Sequence, residues 1–294
     1  MIIIELRVLK YFLTVAREEN ITKASEVLHI TQPTLSRQLS QLEDEIGVKL
    51  FDRGSRKITL TEEGLLLKRR AEEILELVNK ATKELSYQNE LIVGTISIGS
   101  GDLGSVQILS KVIESFLNLY PNVNFELYTA SAEHIKERID NGTTDIGLLL
   151  EPIDLSKYEF IRFPKKEEWV ILLPNSSPLT KKDSISPKDL LDFPIILPYR
   201  LSIQSELANW FGEYFNSLNV LCKSNLTSNT SILVNEGLAN AIVINSSTQF
   251  WDSKYIQSKP LNPPLESTSV LAWKRNQPFS SATEKFIKFA IDFL

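Results

Sequence analysis

Apolar residues recur at helical spacing along the first sixty positions and predict three short helices followed by a hairpin. Leu6, Leu9, Phe12, Leu13 and Ala16 fall on one side of the first helix. The second begins with Thr22 as N-cap and buries Ala24, Val27 and Leu28. His29 and Ile30 make a turn, Thr31 offers another cap, and Pro33 occupies a first turn where its missing N–H costs little. In the third helix Leu35, Leu39, Leu42 and Ile46 lie four, three and four positions apart, which makes one buried stripe. Gln32, Thr34, Ser36, Arg37 and Gln38 cannot all fit beneath that stripe, so most face outward. Gly47 stops the helix and Phe51 anchors the next segment. Asp52 to Lys57 then reads as a basic turn between Leu50-Phe51 and Ile58–Leu60, as in a winged hairpin.

Thr61-Glu62-Glu63 opens a much longer helix, with acids where the helix dipole favours them. Leu67, Ala71, Ile74, Val78, Ala81 and Leu85 alternate at four and three, a heptad seam. Such a helix either lies on its own domain or pairs with a second copy. The 3.5-residue repeat between two domains favours a dimer interface through these six residues.

From about residue 91 the texture changes to strands alternating with helices. Thr95–Gly99, Asn124–Tyr128 and the apolar run Asp145–Leu150 read as strands, with helices from Val106 and after Ser131 between them. Glu168–Pro174, Pro194–Pro198 and Asn240–Ile244 continue the pattern, Ser202 to Leu218 reads as an aromatic-rich helix, and Glu284–Leu294 closes the chain as another helix. The order strand, helix, strand, helix, strand predicts an α/β domain with a parallel sheet.

Composition adds bounds. The 294 residues suffice for two domains and a connector, and 43% hydrophobic with 23% charged residues describes a globular protein. A net charge of −5 looks wrong for a nucleic-acid binder, but Arg37, Arg53, Arg56 and Lys57 gather where phosphates would lie, while Glu43, Asp44 and Glu45 sit at the far end of the third helix. The single Cys222 excludes an intrachain disulfide and a cysteine zinc cluster. Met1–Ile4 is too short for a secretory signal, and no apolar run nears the roughly 20 residues that span a bilayer. The expectation is a cytoplasmic protein with no membrane partner. Two histidines, His29 and His134, and no nucleophile, metal-ligand or phosphate-loop motif leave no catalytic residues, no metal site, no cofactor and a low prior for an enzyme.

An exposed helix start rich in amide, hydroxyl and guanidinium groups matches what base edges and phosphates require. Periodicity alone leaves a DNA-reading helix-turn-helix level with any small helical domain bearing a polar face. The fixed spacings decide between them. Thr22-x-Ala24, Leu28, Thr31-Gln32-Pro33-x-Leu35-Ser36, Leu42-Glu43, Gly47, Leu50-Phe51-x-Arg53 and Leu60-Thr61-x-x-Gly64 resemble the DNA-binding domain of LysR-type transcriptional regulators. Ser25 departs from the alanine expected there, a small-for-small exchange.

That resemblance implies an α+β multi-domain chain. A winged helix-turn-helix would cover 1–60, a linker and dimerisation helix 61–90, and a two-lobed α/β effector domain like a periplasmic binding protein 91–294. Lobe I would hold about 91–164 and 268–294, and lobe II about 165–267. It also implies a sequence-specific regulator controlled by a small-molecule effector. Partners would be double-stranded DNA, further copies of the chain as dimer or tetramer, and RNA polymerase. Expected DNA contacts are Thr31, Gln32, Pro33, Ser36 and Arg37, with Arg53 and Lys57 in the wing. Effectors bind beyond the carboxyl ends of strands in such sheets, which points to Ser100, Gly101, Thr129, Arg200, Ser202 and Asn229. Arg200 is the one cation in these loops and makes an anionic metabolite the expected effector, although Asp102 would oppose an anion unless it points away. A solute-binding protein and an enzyme with a fused helical domain remain the competing classes. Each lacks support: the first a secretion signal, the second a nucleophile and base.

Overall fold

The computed structural model describes residues 4–53, 57–86, 92–250 and 254–294, which gather into two compact units, 1–88 and 89–294. The first comprises α1 (Leu6–Glu18), α2 (Ile21–Val27), α3 (Gln32–Ile46), β1 (Phe51–Arg53), β2 (Ile58–Leu60) and α4 (Glu62–Ser86). Its core joins Leu9, Phe12 and Val15 of α1 to Ala24, Leu35, Leu39, Leu42, Leu50 and Phe51. The Phe12 and Phe51 rings meet with centroids 5.2 Å apart. Each large side chain buried there contributes about 1.5–3 kcal/mol against conformational entropy. β1 and β2 pair antiparallel, Phe51 opposite Leu60 and Arg53 opposite Ile58, which forms the wing.

Two local expectations need correction. Asn20, not Thr22, caps α2, its side-chain oxygen accepting from the Lys23 N–H at 3.1 Å. With the helix starting at Ile21, the buried side becomes Ala24 and Ser25, and Val27 is left half exposed. Thr31 does hold the N-cap position of α3, but its hydroxyl pairs with that of Thr34 at 2.8 Å instead of capping the backbone. Gly47 ends α3 at φ 82°, a conformation a side chain resists. Gly64 is required for another reason, since a Cβ there would come within 2.1 Å of the Leu50 carbonyl oxygen.

Glu43 is no part of an acidic surface patch. Its side chain is buried, and its carboxylate accepts from the backbone N–H of Leu50 at 2.8 Å, that of Phe51 at 3.2 Å and the Lys49 ammonium at 3.1 Å. Burial opposes its ionisation, yet these three hydrogen bonds and the attraction of Lys49 outweigh it and hold the pKa below the ordinary value. One carboxylate thus fastens the end of α3 to the first wing strand.

The helix α4 packs with this unit. Ala71 is fully buried in its core and Leu67 packs at the edge of the same cluster, so those two seam residues face inward and Ala71 is closed to a partner. Ile74 and Ala81 are exposed and Val78 is half buried. The Leu85 side chain lies outside the described residues. Among the described side chains of α4, the large apolar ones left open are Leu65, Leu66, Ile74 and Leu77. The heptad count fails at its start because Gly64, Leu67 and Ala71 are spent on the wing and α1.

The second unit runs β3 (Gly94–Ser100), α5 (Val106–Leu119), β4 (Val123–Thr129), α6 (Ala132–Asp140), β5 (Ile146–Leu150) and β6 (Tyr158–Arg162). It continues through β7 (Glu167–Pro174), β8 (Ile195–Pro198), α7 (Leu201–Phe211), β9 (Val220–Ser224), α8 (Thr227–Asn235), β10 (Asn240–Ile244), β11 (Ile256–Pro260) and β12 (Glu266–Ser267). Finally β13 (Ser269–Lys274) and α9 (Ser281–Phe293) return to the first lobe. Lobe I is a sheet ordered β4-β3-β5-β13-β6. β3, β4 and β5 are parallel as expected, while β13 lies antiparallel between β5 and β6. Lobe II is ordered β11-β7-β10-β8-β9, with β12 beside β7. The aromatic-rich helix stops at Phe211, because Gly212 takes φ 57° and a 3-10 turn follows.

The chain passes between lobes after β6 and after β12, and the two crossings are joined by the Phe163 N–H donating to Ser269 O at 2.9 Å. Beside them the buried Glu167 carboxylate accepts from the N–H and hydroxyl of Ser105 and from the hydroxyl of Ser246. Segments from both lobes therefore converge on one acid.

Candidate functional site

In the first unit the outward side of α3 is set by what its inward side must bury. Leu35, Leu39 and Leu42 are inaccessible, which leaves Thr31, Gln32, Pro33 and Arg37 exposed and Ser36 partly so. Arg37 has no hydrogen bond or ion pair among the described residues, so its charge is free for an external partner. Gln41, one turn further on, is also exposed and donates to Glu45 at 2.9 Å. Lys57, expected on a phosphate, forms an ion pair with Glu19 while both stay largely in water. The Arg53 side chain and residues 54–56, Arg56 among them, lie outside the described residues.

In the second unit a cleft of about 130 Å³ opens between the lobes. Its walls are apolar, among them Leu103, Leu148, Trp169, Ile196, Ile203 and Ile242. Polar groups reach it from the strand-to-helix junctions: Gly101 and Asp102 after β3, Ser131 and Glu133 at α6, Arg200 before α7, Ser224 and Asn225 between β9 and α8, and Thr227 at the start of α8. A space this size takes a ring or a short branched chain, by comparison with an engineered cavity of about 150 Å³ that binds benzene.

Of the six residues expected to meet an effector, Gly101 and Arg200 line this cleft. Ser100 turns its hydroxyl to the Gly101 carbonyl at 2.8 Å, and Thr129 is exposed at the end of β4, away from the lining. Ser202 donates to the Pro152 carbonyl at 2.9 Å and ties α7 to lobe I. Asn229 lies in the first turn of α8 with its side chain in solvent, because that helix begins at Thr227. The true loop there is Ser224–Leu226, and taking Val220–Cys222 as a strand running to Ser224 would have located it.

Arg200 is the most constrained polar group of the cleft. Its Nη2 donates to the Leu150 carbonyl at 2.8 Å, whereas its Nε is buried without a partner. Burial lowers its pKa and the nearby Glu133 carboxylate partly offsets this, but a guanidinium remains charged at any physiological pH. Asp102 lines the same cleft, and its carboxylate accepts from the Thr227 N–H at 3.2 Å.

No helix among the described residues is long and apolar enough to cross a membrane, and no cluster of His, Cys, Asp and Glu there could hold a metal ion. A winged helix-turn-helix beside a two-lobed, ligand-sized cleft defines the class of effector-responsive DNA-binding regulators. Two family models match: bacterial regulatory helix-turn-helix protein, lysR family, over residues 6–65, and LysR substrate binding domain over 89–294. The chain belongs to the LysR family and is a DNA-binding transcriptional regulator with an effector-binding domain. The transcriptional regulator BsdA of Bacillus subtilis is 28% identical over 290 residues, which is 96% of this chain and 99% of that one. The Hca operon transcriptional activator HcaR of Escherichia coli is 28% identical over 281 residues, 93% of each chain. Among solved structures, full-length CbnR in complex with its target DNA superposes with a TM-score of 0.76 at 20% identity, covering 99% of this chain and all of that one. The expected winged helix-turn-helix and two-lobed α/β domain are therefore the fold observed.

Proposed function

We propose that this regulator reads DNA with Thr31, Gln32, Pro33, Ser36 and Arg37 and responds to a small anionic metabolite with an apolar body bound beside Arg200. The observation that carries the effector reading is the buried Nε of Arg200, a charged donor without an acceptor in a cleft whose walls are largely apolar. A carboxylate satisfies it, and the apolar walls take the remainder of the molecule. Ser131 and Thr227 supply further donors along the same walls. The test is thermal-shift screening of the full chain against matched acids and amides, such as cyclohexanecarboxylate and its carboxamide. Acids should stabilise the protein and amides should not. Arg200→Met should remove the stabilisation while leaving ligand-free DNA binding as it was. Stabilisation by neutral or cationic compounds, retained in Arg200→Met, would refute the anionic reading.

The regulator acts as a homo-oligomer paired through α4, since two reading heads address two half-sites and a single head has little specificity. The face that serves is that of Leu66, Ile74, Leu77 and Ala81, at spacings of eight, three and four. Ile74→Glu with Leu77→Glu should yield smaller particles in sedimentation, and an unchanged mass would rule this face out.

A further inference from the structure

Helix α8 starts without a cap of its own. Its N-cap position is Leu226, which has no side-chain acceptor and is among the poorest residues there. The first helical N–H, that of Thr227, is instead satisfied by Asp102, which lies 125 positions earlier on the opposite lobe. The pairing also sets a negative charge at the positive end of the helix. Arg200 donates to the Leu150 carbonyl and Ser202 to the Pro152 carbonyl, bonds between the lobes that run from the start of α7, while Gly104 and Ser105 join Ser246 and Glu167 on the side of the crossings. Asp102 is thus the tether on the α8 side, and it carries a negative charge where Arg200 carries a positive one.

We propose that Asp102 is a helix cap supplied across the cleft, so that parting the lobes and uncapping α8 are one event. The lobes hold their ligand-free arrangement partly through this bond. Separation exposes the Thr227 N–H and loosens the first turn of α8, and that turn carries the cleft residues Thr227 and Thr230. An anion beside Arg200 enters the same cleft as Asp102 and meets it as a like charge. Binding therefore weakens the tether as well as filling the cleft, which gives the effector differential affinity for two lobe arrangements. This last step rests on the anionic reading above; the cap does not.

Hydrogen exchange of the full-length protein without ligand tests the cap. Asp102→Ala should speed exchange of the amides at the start of α8 about fivefold or more, the scale of losing a cap, with no change in α3. Asp102→Asn keeps an acceptor oxygen and should fall between the two. Exchange at α8 unchanged in both variants overturns the proposal, whatever the acid screen has shown. The repulsive half is read from binding: cyclohexanecarboxylate should bind Asp102→Asn about threefold more tightly than wild type. Equal or weaker binding by the variant overturns that half. Failure of every acid to stabilise wild type would instead remove the anionic reading and leave the exchange result standing.

Discussion

Helix α3 and the cleft between the lobes are both rich in hydroxyl, amide and guanidinium groups, yet they hold them in opposite states. On α3 Arg37 is exposed and free of partners among the described residues. In the cleft Arg200, Ser202 and Asp102 are each bonded across to the other lobe. The first surface needs only the approach of its partner, whereas the second must exchange bonds it already has. Readiness suits a surface that binds wherever the sequence fits. Prior engagement suits one that must change arrangement when a ligand arrives.

The largest test of this contrast removes the support under the ready surface. Glu43→Ala leaves two buried N–H groups and Lys49 without their acceptor, and should lower stability of the first unit by about 2–4 kcal/mol. Urea unfolding followed separately in each unit should place the loss in residues 1–88. The pKa of Glu43 is depressed in the fold, so its contribution is fully present above the unfolded value near 4.5 and is lost as pH falls through the folded value. Wild type and Glu43→Gln should accordingly converge in stability at acid pH and diverge toward neutrality. Convergence in the reverse direction would contradict the assignment.

Next in size, Arg37→Ala should cost about 1–3 kcal/mol of discrimination at one base pair without lowering thermal stability. Binding-site selection with the variant should show one relaxed position. If affinity and preference both survive, the outward side of α3 is not the reading surface. The smallest expected effect belongs to Lys57, a predicted phosphate contact already paired with Glu19. Lys57→Ala should weaken all DNA sequences alike, by less than about 1 kcal/mol, and flatten the salt dependence. A loss as large as that of Arg37 would mean that the Glu19 pair breaks at no cost.

The two regions also differed in how much of them could be read beforehand. The first unit was legible because its duties fall on contiguous residues: a four-three-four stripe, a glycine stop and a short hairpin. One of its misses was the cap of α2, where Asn20 and Thr22, two positions apart, are both competent. Of the six residues expected at the cleft, Gly101 and Arg200 line it. Asn229 was misplaced because β9 alternates half-buried and exposed residues and carries no continuous apolar run. β13 was missed although wholly buried through Trp273, since it joins lobe I across more than a hundred intervening residues. The inward turn of Ala71 was hidden likewise, because periodicity gives the face a helix hides but not the surface that covers it. No local pattern announces a cap that arrives from 125 positions away.

The division of labour on α3 bears on how such a regulator diversifies. Leu35, Leu39, Leu42 and Glu43 carry the fold on one side of the helix, while Ser36 and Arg37 look outward and carry none of it. Surface exchanges of that kind alter stability by only about 0.5 kcal/mol in either direction. If positions 36 and 37 read the operator, as proposed, a duplicated copy of the gene can drift through new operator preferences there without passing through an unfolded ancestor. Glu43 fixes the tilt of the helix against the wing, so novelty must come from the letters it displays and not from the angle at which it is held.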